Sequence, residues 1–367
     1  MKTITNSLPP TTPVKTFTFD EVASHYSFPD NQGEDVTIGI LAWQPPGGIN
    51  LDLEDIKKSL KNSGLPIPNY QLKFEGGQTH IKANGGELNM DVSIVSNFCP
   101  KATIIIYMAT PETVHTIIHQ AVVDGCSVTT SSFGIHDKNL VEDIDKALVY
   151  AASNDVTTCF ASGDSGAGSG QFVDSVVFPA GHPNALAVGG TFIPTEDPAS
   201  PTTCGSTPIN EEQVWWNYPG KQNSRSWWGS GGGVSTIYDV PSYQKSINPT
   251  SFPVNGVTTH GRGVPDIAAF AQGLNNDKGT SAATPTMASM IVRINSQLKT
   301  RVGDIHDTIY SLDSSSGAFK SITNGCNIPP AGQNQAGNGY VAQAGWDACT
   351  GLGIPNGQKL LKALQTL

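Results

Sequence analysis

The chain has 367 residues, 38% of them hydrophobic and only 14% charged, with a formal net charge of −10; an average globular protein is about 25% charged. The acidic balance and the lack of a long basic run argue against nucleic acid as a partner, and no run of about 18 apolar residues announces a membrane span. The 39 glycines and 25 prolines require many turns, and the six cysteines, none in CxxC spacing, permit disulfides without requiring any.

In chain order, residues 1–18 are polar and rich in Pro and Thr, which reads as a flexible arm or a surface-hugging strand ahead of a single domain over 19–367. The start lacks the apolar centre of a signal peptide, so an intracellular chain or a mature form with an added Met is expected. Phe19–Phe28 has helical spacing. Val36–Trp43 is an apolar run suited to a buried strand. Leu51–Gly64 is an amphipathic helix stopped by its glycine. Gly86–Phe98 is another helix, with Leu88, Val92 and Val95 at i, i+4 and i+7. Ala102–Ala109 reads as a strand, Pro111–Gly125 as a helix, Cys126–Gly134 as a strand, Leu140–Ser153 as a helix and Val156–Asp164 as a strand. This alternation predicts a mainly parallel sheet with helices on both faces, and chemistry at the C-terminal ends of its strands.

KGTSAATP (Lys278–Pro285) places Ser281 among small residues at the start of a helix, where free N–H groups favour developing negative charge. A serine hydroxyl needs a base. Subtilisins, whose serine motif is similar, use a histidine in an HGTH-like segment, which this chain lacks. Glu87 and Asp91 lie four apart on one predicted helix face; desolvated together, one of them would keep its proton and exchange it with a serine at acid pH. Asp164, in ASGDSG, stands in a context where subtilisins have an oxyanion-binding asparagine, and only a protonated aspartate donates. Ser165, in the same GDSG, imitates the chymotrypsin-like nucleophile motif, but the alternating α and β pattern speaks against an antiparallel barrel. His136 and His182 read as structural residues.

Together these residues resemble the sedolisin family of serine-carboxyl peptidases. The likeness runs from about Phe17–Pro29 to Trp346–Gly353 and includes FPAGHPNALAVGGT (Phe178–Thr191), SGGGVS (Ser230–Ser235), RGVPDIAA (Arg262–Ala269), GTSAATP (Gly279–Pro285) and GWDACTGLG (Gly345–Gly353). It implies a subtilisin-like α/β fold and peptide hydrolysis at acid pH. Ser281 would be the nucleophile, Glu87 the base, Asp91 its proton-sharing partner and Asp164 the oxyanion stabiliser. Ser230, Gly231, Gly232 and Gly233 would offer backbone to an extended peptide, with Trp215, Trp216, Trp227 and Trp228 packing or lining a groove. The expected activity is that of an endopeptidase; a tripeptidyl exopeptidase and a silent peptide-binding relative are the alternatives. Protein or peptide substrates, a monomeric state and a secreted or acidic-compartment location follow from the same resemblance.

The chain also departs from the family. Members usually carry a long N-terminal pro-domain. The stretch between Asp266 and Ser281 is short, which would open the leaving-group side of the cleft. Ala42 and Phe133 stand where the family extends its carboxyl network with a Glu and a Trp, so an altered pH profile is expected. In the family's calcium site, Ser321 replaces an Asp beside Ile322, and Gln343 replaces a Gly ahead of Gly345; Asp347 remains. Losing a hard anionic ligand weakens such a site, so calcium is expected to bind poorly or not at all, with no other cofactor. A disulfide between Cys326 and Cys349 is the expected substitute staple.

Overall fold

The computed structural model describes residues 13–43, 49–75, 81–82, 86–135, 138–168, 175–196, 208–217, 227–251, 258–275, 277–330 and 337–365. In chain order its helices are α1 (Phe19–His25), α2 (Leu53–Asn62), α3 (Glu87–Phe98), α4 (Val114–Val123), α5 (Val141–Ala152), α6 (Thr280–Leu298), α7 (His306–Ser311) and α8 (Gly357–Leu364). The strands are β1 (Thr37–Trp43), β2 (Ile49–Asn50), β3 (Asn69–Phe74), β4 (Ile81–Lys82), β5 (Thr103–Ala109), β6 (Val128–Ser131), β7 (Thr157–Ala161), β8 (Ser165–Ala167), β9 (Ala185–Phe192), β10 (Gln213–Val214), β11 (Trp216–Asn217), β12 (Trp228–Val234), β13 (Gly263–Val264), β14 (Ile267–Phe270), β15 (Phe319–Lys320) and β16 (Ile354–Pro355).

The main sheet runs β10-β9-β7-β6-β1-β5-β3, with β14 also paired to β9. Its pairings are parallel except β10 with β9. Parallel strands covered on both faces read as unbroken apolar runs, which is how TIGILAW and TIIIYMA look. Successive side chains then go to opposite faces. Ile38, Ile40, Ile104 and Ile106 pack with α3 and α6 residues in one core, while Leu41, Trp43, Ile105 and Tyr107 pack with those of α4 and α5 in the other. Among the described residues no helix is long and apolar enough to cross a membrane.

The described part of the N-terminal segment hugs the body. Lys15 N–H donates to Ile193 O (2.9 Å) and Phe17 N–H to Gly273 O (2.8 Å), and the Phe17 ring stacks on Phe270 at 4.7 Å. A Cβ at Gly273 would stand 2.4 Å from Lys15 O, at φ +108°, so only glycine admits this contact. Thr18 then begins α1 with a reciprocal cap to Glu21, an arrangement worth about 1 kcal/mol.

Candidate active site

The C-terminal ends of β6 and β7 and the first turns of α3 and α6 converge on Ser281. α3 starts at Glu87, after an extended Gly86 that gives no side-chain cap. Its apolar residues Leu88, Val92 and Val95 are fully buried and fix the rotation of the helix. That rotation carries Asp91, four residues on, into the core at 0% exposure. Asp91 Oδ1 accepts from Ser132 Oγ at 2.7 Å, and the same hydroxyl lies 3.2 Å from Ser281 O. The nearby Ser281 and Ser132 hydroxyls favour the charged form of Glu87. Glu87 Oε1 and Asp91 Oδ2 are buried without a partner, the condition in which a carboxyl holds a proton.

Burial, with the charges of Asp164 and Asp277 added, raises Glu87 to about 7. Burial, then Glu87, raises Asp91 well above the usual carboxylate range. Among the described residues none of Glu87, Asp91, Asp164 and Asp277 takes part in an ion pair.

Ser281 is the second residue of α6 and 8% exposed, so its N–H belongs to the first turn, which lacks intrahelical partners. Asp164 follows β7 and lies against the same turn. Its Oδ1 accepts from Thr280 N–H (2.8 Å) and Thr280 Oγ1 (2.9 Å), and burial raises its carboxyl. Its Oδ2 lies 2.6 Å from where a Cβ of Gly279 would stand, at φ +102°; glycine is required there for the carboxyl to approach. Asp164 thus caps α6 through one oxygen and leaves the other for additional chemistry. Ser132 and Asp277 were missed from sequence. A serine at the end of a central parallel strand was a usable signal for the first; nothing local marked the second.

The remaining expected site residues fall elsewhere. Ser230, Gly231 and Gly232 are buried within the protein's own backbone. Ser230 Oγ donates to Cys349 O (2.8 Å) and accepts from Gly190 N–H (2.9 Å). A Cβ at Gly231 would meet Ser162 O at 2.1 Å, and one at Gly232 would meet Ala348 O at 2.0 Å. Their smallness therefore serves internal packing. Gly233 pairs with Val264 of β13. Trp215, Trp216 and Trp227 are buried and Trp228 is 46% exposed. His182 is buried, with Nδ1 accepting from Asn184 N–H (3.0 Å), and burial pushes it down to about 4. Ser165 is exposed on β8, and His136 lies outside the described residues.

Residues 77–309 match the subtilase family. The chain belongs to the subtilase family, in its sedolisin branch. It is 32% identical to kumamolisin of Bacillus sp. (strain MN-32) over 94% of its own length and 63% of that protein. It is 31% identical to tripeptidyl-peptidase 1 of Bos taurus over 65% of its length and 43% of that protein. It thus spans less than two thirds of these relatives. In fold it is similar to Pseudomonas sedolisin, described as a serine-carboxyl proteinase complexed with two molecules of pseudo-iodotyrostatin. That likeness has a TM-score of 0.76 at 24% identity and covers 96% of this chain and 99% of that one.

The residues at the sedolisin calcium position do not fit the ion. Asp347 Oδ1 accepts from Cys349 N–H (2.8 Å) and Thr350 N–H (2.8 Å), and Oδ2 from Gln343 N–H (3.1 Å). Calcium needs oxygens, yet this carboxylate is surrounded by N–H donors. Ser321 Oγ, in place of a carboxylate, accepts from Gly345 N–H (3.1 Å), and Ile322 is buried in the core. The expected disulfide is corrected: Cys349 is a free, buried thiol whose Sγ donates to Tyr340 O (3.2 Å). Cys326 is disulfide-bonded, to a partner outside the described residues.

Proposed function

We propose that this chain is a serine-carboxyl endopeptidase that hydrolyses peptide bonds of protein or peptide substrates at acid pH. Ser281 Oγ attacks the scissile carbonyl carbon, and its proton passes to Glu87. The oxygen that gains charge accepts hydrogen bonds from the Ser281 N–H and from protonated Asp164. Asp91, buried behind Glu87, shares the proton and keeps one carboxyl of the pair neutral. Glu87 then protonates the departing amine, which leaves Ser281 acylated. Water attacks the acyl carbon with Glu87 again as base, and the acid product leaves. No metal takes part in these steps, and we propose that Asp347 holds its loop through N–H groups in place of calcium.

The observation that carries this reading is that Ser281 adjoins Glu87 and is joined through Ser132 to the fully buried Asp91, two carboxyls with no ion pair among the described residues. Digestion of denatured casein, followed from about pH 3 to 7 so that the range spans the raised Glu87 carboxyl, is the test. Cleavage is expected in the parent chain and lost in Ser281→Ala and Glu87→Ala. Activity retained in Glu87→Gln would overturn the carboxylate base.

A further inference from the structure

Thr280 is the first residue of α6, next to Ser281, and only 1% of its surface is exposed. Two of its donors converge on a single oxygen of Asp164. The Thr280 N–H lies 2.8 Å and the hydroxyl oxygen 2.9 Å from Asp164 Oδ1. The N–H belongs to the first turn of the helix and has no partner within it. The hydroxyl has one proton to give, and its oxygen accepts from Gly163 N–H at 3.1 Å. That backbone donor occupies one side of Oγ1 and leaves the hydroxyl proton directed at Asp164. The main chain of Asp164 is anchored as well, because its carbonyl accepts from Gly229 N–H at 2.8 Å. Oδ2 meets no such donor from Thr280; it lies over Gly279, where a Cβ would stand 2.6 Å away.

A carboxyl oxygen has two lone pairs, and at Oδ1 both are taken by Thr280. A proton on Oδ1 would have to displace one of those donors, whereas a proton on Oδ2 displaces neither. We infer that Thr280 is a positioning residue that reserves Asp164 Oδ1 as an acceptor, so that the proton of the neutral carboxyl sits on Oδ2 and is donated from there to the developing oxyanion. A donor aimed in advance needs no reorganisation when charge appears on the substrate. Without the hydroxyl, Oδ1 keeps one donor, the proton is free to occupy either oxygen, and Gly163 N–H loses its acceptor. This inference rests on the oxyanion role proposed for Asp164 above.

The test is a double-mutant cycle in the full chain, assayed on one internally quenched peptide at about pH 4. Thr280→Val keeps the N–H and nearly the same volume and removes only the hydroxyl. It is expected to lower kcat roughly tenfold and to change KM by less than about twofold, the mark of an interaction made in the transition state. Thr280→Ser, which restores the hydroxyl, should stay within about threefold of the parent. In an Asp164→Ala background Thr280→Val should slow the enzyme no further, since the group it directs is already gone. Should Thr280→Val not fold, Thr280→Ala enters the same cycle with the same expectations. A parent-like kcat in the hydroxyl-free variant would overturn the inference, as would a serine variant as slow as the valine one. A loss that repeats in full in the Asp164→Ala background would overturn it too, because Thr280 would then act without Asp164. Asp164→Ala alone separates the two failures: a parent-like kcat there refutes the oxyanion role, while a slow Asp164→Ala beside a fast Thr280→Val refutes the role of Thr280 only.

Discussion

Two groups of charged side chains among the described residues, one around Ser281 and one near α7, answer burial in opposite ways. Around Ser281 stand Glu87, Asp91, Asp164 and Asp277, without a cation, and all four are raised. Near α7, Arg262 Nη2 lies 2.6 Å from Asp266 Oδ2, which is also 3.3 Å from His306 Nε2, and His306 Nδ1 pairs with Asp304. Burial would raise Asp266, but Arg262 and His306 bring it down to about 2. Burial would lower His306, but Asp266 and Asp304 lift it to about 9. Desolvation is common to both groups; the partner decides the outcome. The paired group fixes its charges through the whole neutral range, while the unpaired group leaves a proton available to move.

The largest expected effect breaks the unpaired group at its nucleophile. Ser281→Ala should lower peptidase kcat by about 10⁴-fold or more with an unchanged thermal midpoint, as enzyme assays and calorimetry on one preparation would show. Next, Arg262→Met leaves the buried Asp266 with His306 as its remaining cation and should cost about 3–5 kcal/mol in urea unfolding, with kcat per folded molecule retained. Asp164→Ala should lower kcat by about 10²–10³-fold with little change in KM.

A smaller effect sharpens the contrast through pH. Glu87, raised to about 7, contributes stability below its unfolded value near 4.5 and loses it as pH rises to 7. His306, raised to about 9, contributes fully below about 6.5 and loses its share toward 9. Asp266, lowered to about 2, contributes above about 3.9 and loses its share as pH falls toward 2. Stability should thus be greatest between about pH 4 and 5. Glu87→Gln should flatten the decline between about pH 4.5 and 7, by on the order of 2 kcal/mol, and leave the alkaline loss above about pH 7. The smallest expected effect is that of calcium: millimolar calcium or a chelator should move the thermal midpoint by no more than about 1 °C.

The sequence carried the features that depend on spacing. A spacing of four from Glu87 to Asp91 puts both carboxyls on one helix face, and Leu88, Val92 and Val95 named the neighbouring apolar stripe; the structure buries Asp91 together with that stripe. Apolar runs such as TIGILAW identified the parallel sheet. Features that depend on distant backbone were not legible. A glycine run reveals that something comes close to it, and for Ser230–Gly232 the something is Ser162 and Ala348, where a ligand was expected. Cysteine positions did not reveal that Cys349 turns toward Tyr340. Asp277 looked like an ordinary polar turn residue, because its meaning comes from α3, almost 200 positions earlier in the chain.

The contact of Phe17 with Gly273 and Phe270 works as a clasp between the opening stretch of the polypeptide and the turn that delivers the attacking hydroxyl. A protein shortened to begin after Thr18 would keep its sheet and its acid cluster but lose one half of that clasp. Turnover should then suffer before folding does, because the lost contact steadies the turn that leads into α6.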